Sequence, residues 1–390
     1  MSPTLSQPAG PTVVRTIEAV EGHRAAWNSI AWTRVDPELE YFLTVLRTRP
    51  EVVRPHVIFV PAEGEFSAFV GRLENVRLRT WAGYRAIYSP LVRSITLVHG
   101  GIAGADNTER AATLLGELRR SLSSGEADVA FLPSLRTDSP LYEAATALPS
   151  RLAQSEGESV HWGLRLPESF DDFIRSRSKK TRENVRVYRN RLVRDHGDRL
   201  SLKVFCSREE ADVLFRDLDA VAARTYQRGL GVAFADTEEH RALTLFGLER
   251  GWWRAYVLYI ADEPVAFWAG TTYNRTLFVG TPGYDPAYSA YSIGTYLLVR
   301  VVEQLCGDHE IDAIDFGFGD AEYKRRFGNE SWTEADVLLF APTVRAVRIN
   351  LTRSAVGGAA RLGRAALTRA GVASRLRQRW RRRLTKTRSG

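Results

Sequence analysis

The sequence predicts an α/β protein with mixed sheets, arranged as two successive halves and followed by a basic segment. The chain has 390 residues, enough for two domains that each bury a core. With 44% hydrophobic and 26% charged residues, its composition is that of a globular protein, neither a disordered chain nor a membrane protein. In both halves, apolar runs of strand length alternate with segments of helical periodicity, and this alternation places the chain in the α/β class.

Residues 1–25 are expected to be a disordered lead-in, since residues 1–12 hold three prolines and little apolar content. The first domain is placed at 26–160. Apolar runs at Val57 to Val60 and Phe66 to Val70, separated by Pro61-Ala62-Glu63-Gly64-Glu65, read as a hairpin. Asp106 with Glu109 resembles a capping box, and Ala111, Leu114, Leu115, Leu118 and Leu122 follow at helical spacing. Asp128 to Leu132 then reads as a buried strand.

The second domain is placed at 161–342. Helices are expected over about 168–194, 208–226, 238–250 and 293–306, with Asp236 and Glu239 capping the third. Strands are expected at Tyr256 to Ile260, Val265 to Gly270, Leu277 to Gly280 and Ile311 to Phe316, with Asp262-Glu263-Pro264 turning one hairpin. Two α/β halves of similar size suggest a diverged duplication.

Charge is distributed unevenly. The whole chain carries +8, but residues 343–390 hold 14 Lys and Arg and no acid, so residues 1–342 carry a net −6. The basic balance is therefore a property of this last segment, where Leu376, Trp380 and Leu384 repeat at helical spacing among arginines. That pattern suits an anionic membrane surface or an acidic partner. The two cysteines, Cys206 and Cys306, suggest neither a disulfide framework nor a zinc site. No run approaches the length of a membrane span, and a cytoplasmic protein with possible peripheral membrane attachment is the expectation.

Three stretches carry candidate chemistry. In the first, the strand ending Asp315-Phe316 runs through Gly317-Phe318-Gly319-Asp320 to Tyr323-Lys324. Glycines at a strand's carboxyl end let a ligand approach the backbone. Asp315 or Asp320 suits a general base or an anchor for an amine acceptor, and Tyr323 suits a proton donor. Alternatively, Asp320 caps a helix and Lys324 makes a surface ion pair.

In the second stretch, Ser292, Ile293, Gly294 and Thr295 open a helix whose N-terminus suits a pyrophosphate, or simply pack as a capped helix start. The third is a helix from Arg175 to Arg194 with nine Lys and Arg and one acid, Glu183. Arg175, Lys179, Arg182, Arg186 and Arg189 share one face, suited to phosphates or to solvent. His309-Glu310 near Asp312 lacks ligand spacing, so no metal is expected. A G-x-S-x-G elbow and a Walker A loop are both missing from the sequence.

These residues resemble a family. Ser176 to Arg182, the hairpin Ala261 to Ala266, Tyr284-Asp285, Ser292-Ile293-Gly294 and the string Asp315-Phe316-Gly317-Phe318-Gly319-Asp320-x-x-Tyr323-Lys324 look like the acetyltransferase domain of CelD/BcsL-type polysaccharide-biosynthesis proteins. Those are relatives within the GNAT superfamily. The similarity covers about 165–330, and the whole chain more loosely resembles a pair of GNAT-like domains, the arrangement of Fem aminoacyl ligases.

The resemblance implies tandem GNAT-like domains with the acyltransferase site in the second. It implies acyl-CoA, most simply acetyl-CoA, as co-substrate, and an amine or hydroxyl acceptor. The donor's pantetheine arm would lie between two splayed strands. Its phosphates would lie on Ser292, Ile293, Gly294 and Thr295, with Lys180 and Arg182 nearby. Ser289 or Tyr291 stands where such loops usually carry Arg or Gln. A Fem-like transferase that takes its acyl group from charged tRNA, and a non-catalytic scaffold of a polysaccharide-synthesis complex, are the rival implications.

Overall fold

The computed structural model describes residues 10–62, 65–82, 85–225, 234–280, 282–308 and 310–369. The chain forms two compact units that are not consecutive in sequence. One comprises Met1–Ala26, Pro50–Glu156 and Asp336–Gly390, and the other comprises Trp27–Arg49 and Gly157–Ala335. Division at 160 and 342 therefore gives way to an interleaved arrangement, in which residues 27–49 join the second unit and residues 336 onward join the first.

In the first unit, β1 (Thr12–Val14), β2 (Val52–Ala62), β3 (Glu65–Arg77) and β6 (Leu91–Ala103) pair in antiparallel order, and β7 (Val129–Arg136) adds in parallel to β6. A separate hairpin joins β4 (Thr80–Ala82) to β5 (Arg85–Tyr88). The helix Thr108–Ser123 makes the crossover from β6 to β7 and buries Leu114, Leu115, Leu118 and Leu122, as the spacing predicts. Its cap differs from the expected one. Asn107, not Asp106, accepts from Arg110 N–H at 2.9 Å.

The basic end of the chain also departs from expectation. Helix Val344–Arg369 starts immediately after residue 343, buries Ala346 and Ile349 in the first unit's core, and anchors Asn350 to the carbonyls of Ser150 and Arg151. Gly357, Gly358 and Gly363 fall inside this helix without breaking it. Leu376, Trp380 and Leu384 lie outside the described residues.

The second unit's sheet runs β8 (Ala153–Arg165), β14 (Ala313–Phe318), β12 (Thr276–Val279), β11 (Glu263–Tyr273), β10 (Trp253–Ile260) and β9 (Leu200–Phe205), with β15 (Glu330–Phe340) bordering β8 and β13 (Gly283–Tyr284) pairing with β11. All pairs are antiparallel except β12 with β14, whose connection carries the helix Ile293–Cys306. Helices Lys179–His196 and Ile293–Cys306 share one apolar core with the sheet, while Ala211–Arg224 and Leu248 belong to another that Val257 and Phe267 enter.

The expected basic helix is broken into Phe170–Arg175 and Lys179–His196 because Ser178 caps the second piece, accepting from Thr181 N–H at 3.2 Å. In the helix Glu238–Glu249, Thr237 caps in place of Asp236, which instead pairs with Arg241 at 2.6 Å. Asp106 and Asp236 each precede the true cap by one residue. In both cases the residue immediately before the first helical position takes the cap.

Residues 27–49 belong to the second unit through their own aromatic packing. Trp27 is fully buried against Phe42, with ring centroids 5.4 Å apart, and donates to Pro37 O at 2.8 Å. The helix Leu39–Thr48 presents Tyr41 to Phe246, and Arg49 pairs with Glu239 at 2.6 Å.

Gly270 in β11 lies where a Cβ would collide with the Phe278 carbonyl of β12. Gly270→Ala is therefore expected to destabilise the protein by at least about 2 kcal/mol in chemical denaturation. A smaller change would mean that β11 and β12 have room to separate.

Candidate functional site

The site is built where two parallel neighbours stop being neighbours. Strands β12 and β14 pair at Thr276 with Ala313, Leu277 with Ile314 and Phe278 with Asp315, and there the pairing ends. Beyond it the β12 chain turns toward β11: Gly280 N–H donates to Ala269 O at 2.9 Å, and Gly283 and Tyr284 pair with Phe267 and Ala266. Strand β14 instead bulges against β8 between Asp315 and Gly317. Gly317 at φ 74° and Gly319 at φ 102° occupy backbone conformations that L side chains resist. The glycines of the Asp-Phe-Gly-Phe-Gly-Asp string thus shape the backbone of a widening gap.

At the closed end of this gap, Asp315 is buried and accepts three donors. His161 Nε2 lies 2.6 Å from Oδ1, Gly317 N–H 2.7 Å from the same oxygen, and Arg34 Nη2 2.6 Å from Oδ2. His161 Nδ1 lies 3.0 Å from Glu334 Oε2, while Glu334 Oε1 accepts from Trp332 Nε1 at 2.6 Å. The Trp332 ring stacks on His161 with centroids 4.4 Å apart, and the Arg34 guanidinium lies over Phe278 at 4.5 Å.

Burial opposes charge on His161, Asp315 and Glu334, yet each is shifted toward its charged form. The His161 pKa rises despite burial, because the carboxylates of Asp315 and Glu334 outweigh it. Asp315 falls despite burial, held down by the His161 hydrogen bond and the Arg34 charge. Glu334 falls likewise through His161 and Trp332. His161 donates from Nε2 to the Asp315 carboxylate, and protonation at Nδ1 would add a donor toward Glu334.

The opposite face of the gap is aromatic. Tyr323 sits in the helix Glu322–Phe327 with its ring 6.1 Å from both Trp268 and Phe316, and burial pushes its hydroxyl pKa up to about 12. Tyr323 therefore keeps its proton at neutral pH. Lys324 is buried and donates to Gly317 O at 3.0 Å and Phe318 O at 2.7 Å, which ties the glycine loop to the helix. The expected surface ion pair, and a cation free for a ligand, both give way to this internal brace. Asp320 is exposed, accepts from Trp162 Nε1 at 3.2 Å and Arg325 Nη1 at 2.7 Å, and does not cap the helix, whose N-cap is Ala321.

The helix Ile293–Cys306 opens as expected, with Ser292 left-handed at φ 51°. Its carbonyl accepts from Thr295 N–H at 2.9 Å and Tyr296 N–H at 3.0 Å, while Ser292 N–H donates to Ser289 O. Of the four expected amides, those of Ser292 and Thr295 are engaged in these turns. Ile293 and Gly294 remain as the donors at the helix start, where the positive end of the helix dipole also lies. A Cβ on Gly294 would meet only the Tyr284 ring, at 3.4 Å. Arg182 donates to the carbonyls of Arg175 and Arg177, and Lys180 is exposed on the same helix.

The structure places Tyr323 and Lys324 on the helix that follows the Asp315 loop, and it adds Arg34, His161, Trp332 and Glu334, which the sequence did not single out. Only His161 left a trace, as a polar residue on a strand whose alternate positions Trp162 and Leu164 face the core. Arg34 left none, because it lies far from Asp315 in the chain. Among the described residues, no group of His, Cys, Asp and Glu has the number to hold a metal, and no helix is long and apolar enough to cross a membrane.

Residues 179–325, which lie within the second unit, match the family model of the acetyltransferase (GNAT) domain. Among solved structures the chain is similar to FemX, at 10% identity and TM-score 0.57 over 82% of this chain and 96% of that one. It is also similar to a conserved protein of unknown function from Bacteroides thetaiotaomicron, at 14% identity and TM-score 0.51 over 84% and 100% of the two chains. A third likeness is to the C-terminal domain of a putative lysylphosphatidylglycerol synthetase from Agrobacterium fabrum, at 11% identity and TM-score 0.50 over 87% and 96%. These similarities show a fold shared with those proteins. No curated protein matches the chain by sequence.

The pKa shifts fix a pH signature for the buried network. A raised His161 pKa contributes stability that is fully present below the ordinary imidazole range and is lost as pH rises through the raised value. The lowered Asp315 and Glu334 values contribute stability present above the ordinary carboxylate range and lost as pH falls. His161→Gln is expected to cost about 3 kcal/mol in mildly acidic solution, with the cost shrinking in alkali as the wild-type imidazolium discharges. A cost independent of pH, measured by urea denaturation across that range, would show that His161 is neutral.

Proposed function

We propose that the protein is an acyltransferase that moves an acyl group, most simply acetyl, from acyl-CoA to an amine or hydroxyl during polysaccharide or cell-envelope synthesis. The observation that carries this reading is the parting of β12 and β14 beyond Phe278 and Asp315, with a protonated Tyr323 beside the opening. A slot between splayed strands suits a narrow, extended donor arm. The amides of Ile293 and Gly294, and the missing Cβ of Gly294, fit a phosphate at the start of the helix.

A bound acyl thioester supplies an activated carbonyl. Asp320, the exposed carboxylate of the loop, accepts the proton of the attacking amine or hydroxyl, directly or through one water. The new bond forms between the acceptor's nitrogen or oxygen and the acyl carbon. When the carbon–sulfur bond breaks, Tyr323 donates its phenolic proton to the departing sulfur. Asp315 is the weaker candidate for base, because its carboxylate is committed to three donors and held ionised. Its part is to position Arg34 at the closed end of the gap.

Two measurements test this reading. Acetyl-CoA and free CoA are expected to raise the melting temperature saturably, and Gly294→Trp to abolish the rise. Tyr323→Phe is expected to lower kcat for acetyl transfer to a panel of amino sugars by about 100-fold or more while leaving KM near its wild-type value. Absence of any thermal shift with CoA species would overturn the donor assignment and leave charged tRNA as the donor to examine.

A further inference from the structure

Lys179, Arg182, Arg186 and Arg189 repeat at helical spacing along one face of the helix Lys179–His196. All four side chains are exposed, and they border a concavity. The face forms one wall of a cavity of about 480 Å³, whose other wall comes from Thr295, Tyr296, Val299 and Arg300 of the helix Ile293–Cys306. The volume lies within the range of small-ligand sites. Between the cations, Phe170, Ile174, Val185 and Tyr188 supply an apolar lining.

The lining holds five cations against the three acids Asp171, Glu183 and Glu303. These cations are not equally committed. Arg300 is paired with Glu303, and Arg182 donates to two backbone carbonyls. Arg186 and Arg189 have no carboxylate partner among the described residues, although one turn further on Arg194 pairs with Asp195 and Arg191 donates to Ala290 O. Two unpaired guanidinium groups less than a turn apart on one helix repel each other, and an anion between them relieves that repulsion. Their planar donor forks match phosphate oxygens.

We propose that this cavity binds an organic phosphate ester with an apolar arm. The phosphate lies on Arg186 and Arg189, and the arm lies against Tyr188, Ile174 and Val299. The chemistry is shared by a free alkyl or aryl phosphate and by a phospholipid headgroup with the start of its chain. The inference stands apart from the assignment of the acyl donor, since it uses neither the strand gap nor the amides of Ile293 and Gly294.

The experiment is calorimetric titration of the full chain with n-octyl phosphate and with inorganic phosphate. Octyl phosphate is expected to bind saturably and at least about tenfold more tightly than inorganic phosphate. The double variant Arg186→Gln/Arg189→Gln is expected to weaken octyl phosphate by about tenfold or more, and Tyr188→Ala to remove most of the advantage of the octyl arm. Arg194→Gln, a change on the same helix outside the cavity, is expected to leave binding unchanged. Wild-type affinity in the double variant, or an equal loss in Arg194→Gln, would overturn the proposal by showing that no site exists beyond the general field of the helix. Displacement of octyl phosphate by vesicles of phosphatidylglycerol and phosphatidylcholine, and not by phosphatidylcholine alone, identifies a lipid source. Unchanged binding in their presence identifies a free phosphate ester.

Discussion

The second unit turns on one ionised carboxylate. Asp315 is buried at the last residue pair shared by β12 and β14, and its two oxygens hold a side chain from each of two distant segments and the backbone of its own bulge. A charge at that depth is tolerable only with several donors in place, so the carboxylate demands Arg34, His161 and the Gly317 amide together. Each demand has a structural result. The amide bond fixes the bulge, the bulge requires glycine at positive φ, and the glycine loop then needs the Lys324 ammonium to satisfy its carbonyls. The geometry of the opening follows from the need to keep one buried negative charge satisfied.

The alternation of side chains along β14 separates two chemistries. Ile314 and Phe316 enter the apolar core with Trp268 and Tyr323 beside them, whereas Asp315 points to the other face and to its charged partners. A phenol kept neutral by apolar surroundings packs beside Phe316, while the groups kept charged by mutual pairing gather on the neighbouring Asp315. Opposite protonation preferences are maintained at close range because the sheet itself divides them.

Much of the second unit was readable in sequence. Strand and helix positions from 211 to 318 followed periodicity, although the strand Leu200–Phe205 was missed, and the Asp-Phe-Gly-Phe-Gly-Asp string marked the strand end where the backbone bends. Its glycines carry a conformational requirement that no other residue meets cheaply, which is why the string is legible. Lys324 shows the limit of such reading. A lysine beside an acid-rich loop suggests a ligand or an ion pair, but carbonyls freed by a bulge are not visible in a sequence, and these are what it binds. The Arg34 to Asp315 contact was illegible for a different reason. Nothing in the composition of residues 27–49 distinguishes a segment of the first half from one belonging to the second. The caps were off by a single residue, since acids and their amide or hydroxyl neighbours compete for one position on nearly equal terms.

The interleaving of the units bears on how this chain emerges from the ribosome. Residues 27–49 are made early, yet Trp27 and Phe42 belong to a body whose remaining strands begin at residue 157. The first unit in turn lacks the core residues Val337 to Ala341, Ala346 and Ile349 until residues 336 onward are synthesised. Neither body can reach its final form during the first half of translation, so the nascent chain must carry exposed tryptophan and leucine surface for most of its synthesis. Such a protein draws on chaperones more than a tandem array of the same size folded bead by bead, and its refolding from denaturant should be slow for a chain with so much local helix.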